Sequence, residues 1–136
     1  MSLAEKESSL IARYTMIEDS QERLAAVTAR GKKWPALLEG ERTDERLVPG
    51  CSSRVWVAGE LRDGVCRFRM DADSPLVKGL ATLACELYDG EAPGEIVARK
   101  SKLMQGIGFD RMISPTRMHG FTQIESAIQA LAQRYV

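Results

Sequence analysis

The sequence predicts an α+β domain of two layers, a three-stranded antiparallel sheet covered by helices, and three observations carry that expectation. Residues 65 to 71 place Cys66, Phe68 and Met70 on one face of an extended segment and Arg67 and Arg69 on the other, the alternation of a sheet packed on one side only. Residues 74 to 88 place Leu76, Leu80, Leu83 and Leu87 on one helical stripe and Val77, Ala81, Ala84 and Tyr88 on the adjacent one, a broad apolar face able to cover that sheet. Helices, then strands, then helices again is the order of a two-layer domain whose one-sided sheet needs helices over its apolar face.

Taken in order, residues 4 to 17 carry Leu10, Tyr14 and Ile17 at helical spacing. A second helix opens at "DSQE", where Asp19 and Glu22 stand in capping-box relation, and Gly31 is its expected stop. "GKKWPALLEGERTDE" mixes glycine, proline and charge and reads as a connection that pins Trp34 and Leu37 onto the core. Strands are expected at 45 to 48, 53 to 59 and 65 to 71, with "LRDG" forming a hairpin turn centred on Asp63 and Gly64. The helix after them has Ser74 as N-cap, Pro75 at its first position and Gly90 beyond its end. "APGEIVARK" predicts a short helix, residues 99 to 113 show no clear pattern, and "SPTR" opens a last helix with Phe121, Ile124, Ile128, Leu131 and Tyr135 on one stripe. No internal repeat, low-complexity tract or linker divides the chain, so one domain over 1–136 is expected.

Nineteen basic and nineteen acidic residues cancel, which gives no global electrostatic case for nucleic acid or an anionic membrane. The most apolar stretch, "LVKGLATLACELY", is interrupted by Lys78 and Glu86 and is far shorter than the roughly 20 residues a spanning helix needs. The N-terminus lacks the apolar core of a signal peptide, so a soluble, cytoplasmic protein is expected. Cys51, Cys66 and Cys85 are odd in number and spaced for neither a disulfide framework nor a zinc site, which points to reduced thiols.

The three cysteines do not read alike. Cys66 lies on the buried face of a strand and Cys85 in the middle of an apolar helix, so both read as small packed hydrophobes. Cys51 stands in "LVPGCSSRVWVAGE" among Pro49, Gly50, Ser52 and Ser53, which build a turn and offer little to pack against. Two readings stay open for it, a space-filling turn residue and a reactive thiol. A thiol of ordinary pKa, about 8.5, is only ~3 percent thiolate at pH 7, so a reactive one needs help from turn amides, the hydroxyls of Ser52 and Ser53, Arg54, or a cation from elsewhere. The single histidine, His119, is 68 residues away in sequence and gives a Cys/His protease arrangement no support. In the last helix Arg117 falls at the third position, where the helix dipole favours an acid, and Gly120 costs about 1 kcal/mol against alanine. Two unfavourable choices on one face suggest that something approaches closely there and that Arg117 has a partner.

"VPGCSSRVWV" resembles the signature loop and strand of the SufE-type sulfur acceptor proteins, and the likeness extends through "DADSPLVKGL", "LYDG", "PGEIV" and "SPTRMHGF", with "GKKWPAL" upstream. It covers about residues 5 to 135 in one order, with departures at Met118 and His119 and in "KLMQGIGFDRM". The resemblance implies a SufE/NifU-like fold. It also implies that Cys51 accepts sulfur as a persulfide from a group II cysteine desulfurase of the SufS or CsdA type, and passes it to an iron–sulfur cluster scaffold. Arg117 is carried over as a neighbour of the cysteine loop and Asp73 as an acidic residue near the sheet edge.

On that reading the chain needs no cofactor of its own and no metal, pyridoxal phosphate chemistry belonging to the partner. The partner-facing or loop-supporting residues are Gly50, Ser52, Arg54, Asp71, Asp73 and Arg117, and the protein is a monomer or weak dimer. The alternative is an iron–sulfur scaffold of NifU-like fold, which requires several exposed thiolates converging on one site, against the buried reading of Cys66 and Cys85. A third possibility is an adaptor that alters a desulfurase without carrying sulfur.

Overall fold

A computed structural model describes residues Met1–Val136. Helices α1 (Leu3–Thr15) and α2 (Ser20–Gly31) precede a hairpin of β1 (Val55–Arg62) and β2 (Val65–Ala72); α3 (Pro75–Tyr88), α4 (Pro93–Ala98), α5 (Leu103–Ile107) and α6 (Pro115–Gln133) follow. The helix starts obey local chemistry. Ser74 Oγ accepts the Val77 N–H, Ser114 Oγ accepts the Arg117 N–H, and proline occupies the first position of both α3 and α6, where its missing N–H costs nothing. Asp19 caps α2 through the Glu22 N–H. Residues 99 to 113, unassigned from sequence, fold as the five-residue α5 and a single 3-10 turn at Phe109–Arg111, both too short to show a period.

The sheet has two strands, not the three expected. Residues 44 to 46 form a 3-10 turn, and of the predicted strand only Leu47 makes an isolated bridge, to Trp56. Pairing stops after the Val48 N–H donates to the Val55 carbonyl at 2.7 Å. The next residue, Pro49, has no N–H to continue a ladder, and Gly50, at φ +79°, turns the chain away. The β1–β2 hairpin itself runs in the register Val55↔Ala72 to Arg62↔Val65. Asp63 and Gly64 fill its two-residue turn at φ +53° and +81°, the primed turn whose twist suits a hairpin.

The core lies between this hairpin and the helices. β2, with Cys66, Phe68 and Met70 buried, packs on α3, and β1, with Val55 and Val57 buried, packs on α6; α3 also packs on α2 and α6 and is buried along Leu80, Leu83, Ala84 and Leu87. Gly31 ends α2, as expected, and also serves a helix crossing. A Cβ on Gly31 would lie 2.8 Å from the Gly79 nitrogen, and one on Gly79 would lie 2.7 Å from the Val27 carbonyl oxygen, so α2 and α3 meet backbone to backbone through two glycines. Trp34 packs against the core and Leu37 is buried in it, as the sequence indicated. On α6 Phe121, Ile124 and Ile128 are buried and Leu131 half-buried, whereas Tyr135 lies past the helix end and is exposed.

Buried polar groups fix α6 and the segment around it. Tyr88 Oη donates to Glu125 Oε2 at 2.6 Å, linking α3 to α6, and burial pushes the Glu125 carboxyl up. Gln129 Nε2 donates to the carbonyls of Ile96 and Arg99, and Glu7 receives Arg99 Nη2 at 2.8 Å and the Lys102 N–H at 3.2 Å. Helix α6 is thereby held in place, and the loop carrying Cys51 leans on it.

Candidate functional site: the Cys51 loop

Between the ladder end at Val48–Val55 and the start of β1, residues 49 to 54 make a short loop that returns the chain into the hairpin. Its cysteine is turned inward. Cys51 is half-buried and packs against the core, and its Sγ donates to the Gly120 carbonyl at 3.5 Å. Burial pushes the Cys51 thiol up, and a hydrogen bond donated by the S–H is one made only by the neutral form. In this conformation the sulfur is a protected thiol rather than a standing nucleophile.

The neighbour anticipated at Gly120 is Cys51, but the approach does not itself require a glycine: a Cβ there would lie 3.8 Å from Cys51 Sγ, an ordinary van der Waals separation. Arg117, one turn earlier on the same side of α6, is half-buried, and its guanidinium makes no hydrogen bond or ion pair within the fold. The intramolecular partner expected for it is not there. No cation pairs with Cys51, so the rise from burial stands unopposed.

The remaining site residues divide into two groups. Arg54 Nε donates to Asp73 Oδ2 at 2.8 Å, and the Asp73 N–H donates to the Arg54 carbonyl at 3.1 Å, so side chain and backbone together fasten the loop's exit to the residue after β2. Both side chains are well exposed, and an exposed pair of this kind contributes little stability. Asp71 lies deeper. Burial works to raise its pKa, but the Ala72 N–H at 2.9 Å, Arg42 Nη2 at 2.5 Å and Lys78 Nζ at 3.5 Å outweigh that and hold the carboxyl below its ordinary range. Arg42 and Arg54 also stack on the Trp56 ring, their guanidinium carbons 5.5 and 5.4 Å from its centroid. Asp71 thus supports the strand and the Trp56 cover, while Arg54, Asp73 and Arg117 are reachable from outside. Gly50 gives the loop its positive φ, and Ser52 and Ser53 follow Cys51 with their backbone amides unpaired.

Sequence reasoning did not find Gln123. Its Nε2 donates to the Pro49 carbonyl at 3.1 Å, and its side chain fills the space beneath Gly50. A glutamine on the half-polar face of a helix carries no signal of such a contact. The other two thiols lie where the patterns put them: Cys66 and Cys85 are both in the interior, and burial, with Asp89 as a second cause, pushes each one up. No three histidine, cysteine, aspartate or glutamate side chains gather to hold a metal ion, and no helix is long and apolar enough to cross a membrane.

Fold and site together define a small α+β domain that offers one approachable thiol on a loop at the sheet's edge. The chain belongs to the SufE family, the Fe–S metabolism associated domain, which it matches over residues 8–132. It is 29% identical over 125 residues to a SufE-like protein of Synechocystis sp., covering 92% of this chain and 79% of that one. A SufE-like protein of Rhizobium etli is 29% identical over 129 residues, covering 91% and 87%, and one of Rhizobium meliloti is 26% identical, covering 91% and 92%. The solution structure of a hypothetical protein from Thermus thermophilus superposes with a TM-score of 0.79 over 95% of this chain and 94% of that one; at 20% identity it speaks for the fold. A role in Fe–S metabolism follows from the family.

Proposed function

We propose that the chain is a cytoplasmic sulfur acceptor: Cys51 takes the terminal sulfur of a persulfide on a group II cysteine desulfurase and relays it toward iron–sulfur cluster assembly. The observation that carries this is the contrast among the thiols. Only Cys51 is on a loop at the surface, while Cys66 and Cys85 are enclosed. The family supports the setting, Fe–S metabolism, and the loop chemistry supports the step.

The step is thiol–disulfide exchange with sulfur as the group transferred. Cys51 loses its proton to solvent, and the thiolate attacks the outer sulfur of the donor's R–S–SH. A new S–S bond forms at Cys51 as the donor's S–S bond breaks, and the donor thiolate leaves and takes up a proton. In total R–S–SH and Cys51–SH become R–SH and Cys51–S–SH, with no external oxidant or reductant.

The closed loop cannot perform this, because its thiol is desolvated and committed to the Gly120 carbonyl. Swinging outward restores an ordinary pKa and lets the already unpaired amides of Gly50, Cys51, Ser52 and Ser53 stabilise the thiolate. Docking is oriented by the reachable charges Arg54, Asp73 and Arg117 around the loop, with Asp71 holding the strand behind them. After transfer, the loop's return shields the persulfide from small oxidants and reductants.

The test is direct. The protein is mixed with a group II desulfurase and cysteine, and the added sulfur is located by peptide mass. One sulfur atom is expected on the Cys51 peptide. Cys51→Ser should fold, gain no sulfur and fail to raise desulfurase turnover. Normal stimulation by that variant, or sulfur on Cys66 or Cys85, overturns the proposal.

A further inference from the structure

The Cys51 loop is fixed at its two ends and nearly free between them. At one end the Val48 N–H meets the Val55 carbonyl at 2.7 Å, and at the other the Asp73 N–H meets the Arg54 carbonyl at 3.1 Å. Between these points the amides of Gly50, Cys51, Ser52 and Ser53 donate to no backbone carbonyl. Only two hydrogen bonds hold the middle of the loop down, and both reach α6: the Cys51 thiol to the Gly120 carbonyl at 3.5 Å, and Gln123 Nε2 to the Pro49 carbonyl at 3.1 Å. A thiol is a weak donor, so the amide bond is the stronger of the two. The same glutamine also makes the loop's packing contact. A Cβ on Gly50 would lie 2.7 Å from Gln123 Nε2, 3.3 Å from its Cγ and 3.4 Å from its Cδ, so the side chain lies flat against the turn that carries the cysteine.

Resting on the acceptor reading above, we infer that Gln123 is a positioning residue that latches the Cys51 loop closed and sets how often the thiol meets solvent or a sulfur donor. Opening exchanges the Gln123–Pro49 hydrogen bond for bonds to water while the ends of the loop and the hairpin stay in place. Helix α6 does not move, because Tyr88–Glu125 and the Gln129 contacts anchor it on its other side. A donor protein that docks over the loop releases the thiol by drawing Pro49 away from Gln123. The latch thereby restricts reactivity in the free protein without blocking transfer in the complex.

The experiment compares the wild type with Gln123→Ala and with Gln123→Glu, which keeps the shape and loses the donor. Alkylation of Cys51 by N-ethylmaleimide is measured by peptide mass and normalised to the same peptide in denatured protein. Loss of one net hydrogen bond should speed labelling by about 2- to 10-fold in both variants, with the thermal midpoint little changed. Labelling of Cys66 and Cys85 should stay at the wild-type level. A wild-type Cys51 rate in Gln123→Glu overturns the latch, since that variant disturbs the packing least. In parallel, each variant is given a persulfurated desulfurase. Faster labelling with no sulfur ever found on Cys51 leaves the latch standing and sinks the acceptor function; unchanged labelling with normal sulfur uptake does the reverse.

Discussion

Cys51 and Cys85 are both held above the ordinary thiol range by burial, yet they differ in what must move before either can react. Cys85 sits on α3, fully enclosed where that helix packs on β2, α2 and α6, so exposing it means separating layers of the core. Cys51 is covered by its own loop, whose middle is tied down by one amide hydrogen bond and one weak thiol contact. Burial alone therefore does not distinguish a thiol locked in the core from one that a local motion can uncover. The distinguishing quantity is the free energy of the smallest motion that uncovers the sulfur, a few contacts for the loop and a large part of the fold for the helix.

The strongest way to break the comparison is to loosen the core and leave the loop alone. Gly79→Ala puts a methyl 2.7 Å from the Val27 carbonyl oxygen and 2.9 Å from the Thr28 Cα, backbone atoms that cannot rotate away. Helices α2 and α3 must separate, at a cost of about 1 to 3 kcal/mol. Where labelling of Cys85 follows opening of the core, its rate should rise by the corresponding factor, about 5- to 150-fold, as read by peptide mass. Cys51 labelling should not change. A parallel rise at both cysteines would mean that the loop opens only when the domain does.

A smaller effect separates the same two thiols through pH. In the unfolded chain thiols ionise near pH 8.5, whereas in the fold Cys85 stays protonated well above that, so beyond about pH 8.5 the unfolded chain binds fewer protons. Stability is intact below that pH and falls as pH rises, by up to about 1.4 kcal/mol per pH unit for each such group. Denaturant melts between about pH 8 and pH 10 should show the slope reduced in Cys85→Ala and much less altered in Cys51→Ser, because an open loop lets Cys51 ionise without unfolding. Equal slopes in the two variants would erase the difference drawn between them.

Much of this arrangement was legible in the sequence because it is locally encoded. The alternation of 65 to 71, the Asp63–Gly64 turn and the Ser–Pro openings of α3 and α6 are properties of adjacent residues, and each is realised. The third strand was not realised, because a strand needs a run of partners and Pro49 and Gly50 end the run after one bridge. Gly31 does end α2, but its second role stayed hidden, since nothing local reveals that Gly79 lies against it. At the site, the odd placement of Cys51 and the cost of Gly120 both pointed to a contact, and the two features prove to be its two sides. Gln123 and the Arg42–Asp71 pair stayed hidden, joining residues 74 and 29 positions apart with types common on any helix or loop. Asp71, grouped from sequence with Arg54, Asp73 and Arg117 as partner-facing or loop-supporting, is buried and paired with Arg42 and Lys78.

The finest test concerns Gly120 itself. A glycine inside a helix costs up to about 1 kcal/mol against alanine, and the fold explains its presence only in part. Outside α6 the nearest atom to a Cβ built there is Cys51 Sγ at 3.8 Å, an ordinary van der Waals separation. The closed loop thus has room for a methyl. Gly120→Ala should raise the denaturation midpoint by an amount worth up to about 1 kcal/mol, with Cys51 labelling unchanged or slightly slower. A lower midpoint would show that the thiol needs the bare backbone in the closed state. A higher midpoint combined with impaired sulfur uptake from a persulfurated desulfurase would show that the open state needs it instead. In that second case the donor must lie against the strip of α6 that Cys51 vacates, with the unpaired Arg117 one turn away.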